Sequence, residues 1–162
     1  ILSGGRFVGC VYEDILMSLK HFVRNKEPLL LMAESETAGA TIDQMIDGHF
    51  GAALVMSSEN TLVGIFTERD VLTKIVRPGL DPAVVLVSEV MTTDVVTIEE
   101  EQSLDAAIHC IQAYQVSHLP IISVEKRVVG ILTIRRLLHD KIKDLLDGLQ
   151  NLEAYFNDSS GG

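Results

Sequence analysis

Apolar and polar positions along the chain switch between a two-residue and a helical period, and they do so in the same order twice. In the second half, residues 94–100 read DVVTIEE, whose β-branched members predict a short strand. Residues 103–115 (SLDAAIHCIQAYQ) carry apolar side chains at 104, 107, 108 and 111, the spacing of one helix face, and Ser103 stands where an N-cap belongs. Residues 118–124 (HLPIISV) predict a buried strand with a proline near its start. Lys126 and Arg127 fall in a turn, residues 128–134 (VVGILTI) predict another buried strand, and 135–146 (RRLLHDKIKDLL) predict a helix. In the first half PLLLM, ATIDQMIDGH, AALVM, TLVGIFT and ERDVLTKIV fill the same slots, so both halves read β-α-β-β-α.

The two halves align at a constant offset of 66 residues with no gap. FGAALVM (50–56) falls on VSHLPII (116–122), and GIFTERDVLTKIV (64–76) falls on GILTIRRLLHDKI (130–142). A fixed period of this length means two copies of one supersecondary unit. Each unit has a sheet with helices on one side, and packing two copies face to face by a pseudo-twofold axis covers the bare faces. The expected fold class is therefore α/β (α+β), with ligand clefts between the copies. The expected division is an N-terminal segment (1–26), a first repeat (27–76), a linker rich in Pro and Gly (77–87), a second repeat (88–146) and a C-terminal stretch (147–162).

The ends carry helical patterns of their own. Residues 11–23 have apolar side chains at 11, 15, 16, 19, 22 and 23, an amphipathic helix that packs on the repeats or leads back to an upstream domain. Leu138, Ile142, Leu145, Leu149, Leu152 and Phe156 step by 4, 3, 4, 3 and 4, which suits a dimer seam or a helix lying on its own module. The closing NDSSGG reads as disorder.

Composition narrows the function. Hydrophobic residues make up 47% and charged residues 22%, the profile of a globular protein, and no apolar run approaches the ~18 residues of a membrane span. A net charge of −10 argues against general nucleic-acid binding. Cys10 and Cys110 show neither metal nor disulfide spacing, and a reducing cytoplasm is the simple reading. The five histidines form no HxH or HExxH pattern, and no nucleophile–base motif or P-loop is present.

A tandem β-α-β-β-α unit ending in Gly64-Ile65-Phe66-Thr67-Glu68-Arg69-Asp70, with SEVMTTDVVTI (88–98) opening its second copy, resembles the cystathionine-β-synthase (CBS) domain pair, or Bateman module. The resemblance covers about 27–146. It implies a regulatory module and no catalysis. It also implies a homodimer and an adenosine ligand (AMP, ADP, ATP or S-adenosylmethionine), although some members bind none. A structural or dimerisation module without ligand is the first alternative, and a regulatory segment of a larger enzyme or transporter the second.

The resemblance also places a site. Thr67 would donate to a phosphate and Asp70 would accept from ribose hydroxyls, facing Thr93, Asp94, Val95 and Val96 and the strand Ser117, His118, Leu119 and Pro120. Val95 and Leu119 would sandwich a purine. The bare physical reading of the same pair is that Thr67 caps a helix and Asp70 complements its dipole. On the ligand reading, Asp70→Ala weakens binding by about 1.5–3 kcal/mol and barely changes stability without ligand. The second cleft would pair Thr133 and Arg136 with Leu29–Leu31 and Gly51–Leu54. There Arg136 replaces the aspartate and cannot accept a hydrogen bond, so it would bind phosphate or fill the cleft.

Overall fold

The structure, a computed structural model, describes residues 28–139 together with 8, 9, 19, 20, 23, 142, 143, 145, 146, 148 and 149. A two-residue strand, β1 (Val8–Gly9), precedes the first repeat. That repeat runs β2 (Leu31–Ala33), α1 (Ala38–Asp47), β3 (Ala52–Met56), β4 (Leu62–Thr67) and α2, which begins at Glu68–Asp70 and continues over Val71–Val76. A short helix α3 (Val87–Val90) ends the linker. The second repeat runs β5 (Val96–Glu99), α4 (Leu104–Tyr114), β6 (His118–Ile122), β7 (Val128–Thr133) and α5 (134–139).

Local chemistry fixes most of these boundaries. The hydroxyls of Thr37 and Ser103 accept the amides of Ala40 and Ala106, capping α1 and α4. Gln115 closes α4 in the left-handed conformation at φ 52°. Helix α2 widens after its first turn, with Arg77 N–H donating to Leu72 C=O and Leu80 N–H to Ile75 C=O, both five residues back.

In each repeat the central strand pairs parallel with the strand before the helix and antiparallel with the hairpin strand after it. The first sheet has the order β2-β3-β4. The second gains β1 at its edge and reads β1-β5-β6-β7. The segment around Leu19 follows β1 into the second repeat: Leu19 N–H donates to Gln102 C=O, and its side chain is fully buried in that repeat's core. Conversely, Thr92, in the opening stretch of the second repeat, pairs with Ile65 at the edge of the first sheet. Each sheet therefore borrows backbone from the other half of the chain.

The period-2 alternation divides the core into three layers. Ala53, Val55 and Phe66 face α1, α2 and α3 of the first repeat, while Leu119, Ile121 and Leu132 face α4 of the second. Ala52, Leu54, Met56, Leu62 and Ile65 turn the other way and meet Val95, Val128 and Ile131 between the sheets. The expected face-to-face pair is thus the observed architecture. Two elements differ from the sequence reading. The linker ends in α3, whose Val87 and Val90 join the first repeat's core, and β1 was not anticipated. The amphipathic helix at 11–23 lies mostly outside the described residues, as do Leu152, Phe156 and the final NDSSGG. Leu138, Ile142, Leu145 and Leu149 of the heptad pattern are exposed.

Candidate functional site

The two inter-repeat clefts expected from the doubled sequence have different structures. On the side of Thr67 and Asp70, the polar groups satisfy one another. Asp70 Oδ2 accepts from the Thr67 amide at 2.9 Å and the Thr67 hydroxyl at 2.7 Å. Asp70 Oδ1 accepts from the Thr92 hydroxyl at 2.9 Å and pairs with Lys74 Nζ at 2.8 Å. Lys74 Nζ also donates to Met91 C=O at 2.9 Å. Asp70 is only 6% exposed. Burial pushes its carboxyl up, but hydrogen bonds from Lys74, Thr67 and Thr92 together outweigh burial and hold it below the ordinary carboxylate value. Both carboxylate oxygens are thereby engaged within the chain, which leaves ribose hydroxyls no open acceptor in this arrangement. The helix-capping role of Thr67 is present in full, with the reciprocal bonds of a capping box.

The other cleft is open. A cavity of about 1320 Å³ lies between Leu29, Leu30, Gly51, Ala52 and Leu54 of the first repeat and Ser117, His118, Ile131, Thr133 and Arg136 of the second. Leu30, Leu54, Phe50 and Ile131 give it an apolar lining, and Arg135, Arg136, Lys143, His139 and Glu68 bring charge and hydrogen-bonding groups. The Thr133 hydroxyl accepts the Arg136 amide at 3.2 Å, the same cap that Thr67 makes with Asp70 at 3.3 Å. The backbone of the two copies is alike at this corner, and the side chain three residues on decides the difference.

Of the expected site residues, Ser117, His118, Thr133 and Arg136 line this cavity. Thr67 and Asp70 do not, and their partners in the expected purine sandwich are separated. Val95 is buried between the sheets, whereas Leu119 points to the opposite face, into the core against α4. The cause is the strand period, since Leu119 shares its face with Ile121. Pro120, on the alternate face, is fully buried, Val96 packs at the edge of the second core, and Thr93 and Asp94 are exposed. Sequence reading missed His49, Glu68, His139 and Lys143. His49 adopts φ 55° after α1, a turn signal readable from Gly48-His49, while Lys143 and His139 share one helix face with Arg136 by their spacing.

His118 sits where the two repeats meet. A Cβ on Gly51 would come within 2.7 Å of its Nε2, so the absence of a side chain at 51 is what admits the imidazole. Burial pushes the His118 pKa down, and the Glu68 carboxylate opposes this only in part. A pH dependence of stability follows from these two groups. His118, depressed in the folded state, contributes stability that is complete above its unfolded pKa of about 6.5 and is lost as the pH falls through the lower folded value. Asp70 contributes stability present above about pH 3.9 and lost as the pH falls below it. Urea midpoints measured from pH 8 to pH 3 should decline in two stages. His118→Gln should remove the first stage and Asp70→Asn the second.

Among the described residues, no three His, Cys, Asp or Glu gather to hold a metal ion, and no helix is long and apolar enough to cross a membrane.

The family model for the CBS domain matches residues 23–77 and 87–143. An uncharacterized protein of Methanopyrus kandleri is 28% identical over 104 residues, which are 64% of this chain and 53% of that protein, so the chain spans about half its length. Among solved structures, the CBS domain protein NE2398 superposes with a TM-score of 0.73 at 27% identity, over 78% of this chain and 99% of that one. A CBS domain protein of Pyrobaculum aerophilum, solved in complex with AMP, shares the fold with a TM-score of 0.63 at 20% identity, over 68% of this chain and 83% of that one.

Proposed function

Because the chain belongs to the CBS domain family and carries two of its domains in tandem, we propose that it is a ligand-sensing regulatory module whose open cleft takes an adenosine compound. The observation that carries this reading is the cavity itself, which sets apolar Leu30, Leu54 and Ile131 beside Thr133 and Arg136. A purine fits the first group and a phosphate the second. The AMP bound by the Pyrobaculum relative is in keeping with it. The ligand acts by holding the two walls together, and it shifts the module only as far as it prefers one arrangement of the repeats. The assignment is regulatory, with no catalytic role.

Dimerisation and a cytoplasmic location belong to the same reading. Ile46 on α1, Leu72 and Val76 on α2, and Leu138 on α5 are each more than half exposed, and a second copy would cover such faces. Light scattering at micromolar concentration tests the dimer, and a monomer mass would refute it.

Mass spectrometry of small molecules released from the purified protein, followed by calorimetry with AMP, ADP, ATP and S-adenosylmethionine, tests the ligand. One adenosine site per chain is expected, because the Asp70 side is closed by its own hydrogen bonds. A protein that carries no adenosine compound and binds none would instead be a structural module with empty clefts.

A further inference from the structure

The open cleft has a charge pattern unlike the rest of the molecule. The chain as a whole carries a net charge of −10 with only 13 Lys and Arg residues, yet Arg135, Arg136 and Lys143 all line this one cavity. Glu68 is the single carboxylate among the described residues that line it, and it lies close enough to His118 to act on that imidazole's charge. A basic concavity on an acidic molecule concentrates multiply charged anions.

The corner at Thr133 sharpens this. The same backbone cap in the first repeat presents a carboxylate, Asp70, and here presents a guanidinium. A guanidinium has five donors and no acceptor, so it cannot receive hydrogen bonds from a ribose, but it matches a phosphate with two parallel bonds. Resting on the proposed adenosine reading of the cleft, we infer that this cleft selects its ligand by the number of phosphates and is indifferent to the ribose 2′-hydroxyl, which makes a nucleoside di- or triphosphate its natural occupant. A sulfonium ligand such as S-adenosylmethionine brings a positive charge to the cationic wall and is disfavoured.

Calorimetry on the full chain with adenosine, AMP, ATP, 2′-deoxy-ATP, S-adenosylmethionine and inorganic triphosphate tests the inference. ATP should bind at least about tenfold more tightly than AMP, and 2′-deoxy-ATP within about threefold of ATP. Arg136→Gln should cost ATP about tenfold and AMP much less, so that the ATP/AMP ratio collapses. Arg135→Gln, at an exposed position, should lower the same ratio to a smaller degree and guards against a folding defect at 136. AMP binding as tightly as ATP, a tenfold penalty for loss of the 2′-hydroxyl, or an unchanged ratio in both variants would overturn the inference. The underlying reading fails separately. If inorganic triphosphate matches ATP, the adenosine assignment falls while selection by charge stands. If adenosine alone binds as well as ATP, the adenosine assignment stands and selection by charge falls. Binding of none of these probes overturns both.

Discussion

Asp70→Ala is expected to lower the unfolding free energy by about 3 kcal/mol, even with no ligand present. The carboxylate receives the Thr67 amide, the Thr67 and Thr92 hydroxyls and the Lys74 ammonium, at 2.7–2.9 Å. Removing it strands these donors at a site that is 6% exposed. The Lys74 side chain is 37% exposed and can turn to solvent, which keeps the cost below that of a wholly buried broken pair. The same change also undoes the capping box at the start of α2 and loosens Lys74, which donates to the Met91 carbonyl and the Thr92 hydroxyl. For a chain of this size the loss corresponds to a fall in Tm of about 10 °C. A thermal scan of the unliganded variant makes the measurement. A shift of less than about 2 °C would mean that the cluster is only an exposed surface pair. This prediction reverses the expectation from sequence alone, in which Asp70 served a ligand and its removal left stability nearly unchanged.

Phe66→Ala should cost about 4 kcal/mol, the cavity cost of deleting a buried aromatic ring. Phe66 is fully buried near the end of β4, among Met45, Val55, Ile75 and Val87. Its counterpart at the 66-residue offset is Leu132, also fully buried. The two copies therefore fill equivalent places with different volumes. Phe66→Leu makes the first copy match the second and should cost far less, about 1–1.5 kcal/mol, because most of the volume remains. Urea denaturation at constant m separates the two variants. Equal losses would mean that the first core cannot adjust to a leucine in place of the ring.

The repeat itself was fully legible because its signals are local and periodic. Strand β3 falls at the residues of its unbroken apolar run, and α4 starts at the anticipated Ser103 cap. Elements that depend on distant partners were not legible. Val8–Gly9 makes too short a run to predict a strand, and only β5, far along the chain, makes it one. Helix α3 sits in a stretch whose Pro and Gly advertise a linker, and it is held by packing of Val87 and Val90 on the first core. The site was legible as a pair of equivalent corners, and the reversed charge at 136 was read as the mark of divergence between them. The open side could not be read. That depended on Lys74 and Thr92 reaching Asp70 from 4 and 22 residues away, a convergence that no linear motif encodes.

The exchange of backbone between the halves bears on how the chain comes to be made. Val8 pairs with Val96, almost ninety residues further on. At about 5–20 residues per second, translation takes roughly 5–20 s to travel that distance. The first half emerges with its own three strands ready to pair, while the segment at 8–9 must wait for a partner not yet synthesised. A polypeptide cut in the linker would therefore not yield two equal products. The leading fragment would keep the edge strand of the trailing one, along with Leu19 from its core. The trailing fragment would in turn retain Thr92, which borders the leading fragment's sheet. The boundary of the duplication, plain in the sequence, is thus not a boundary of assembly, and two fragments made separately would each be completed only by meeting the other.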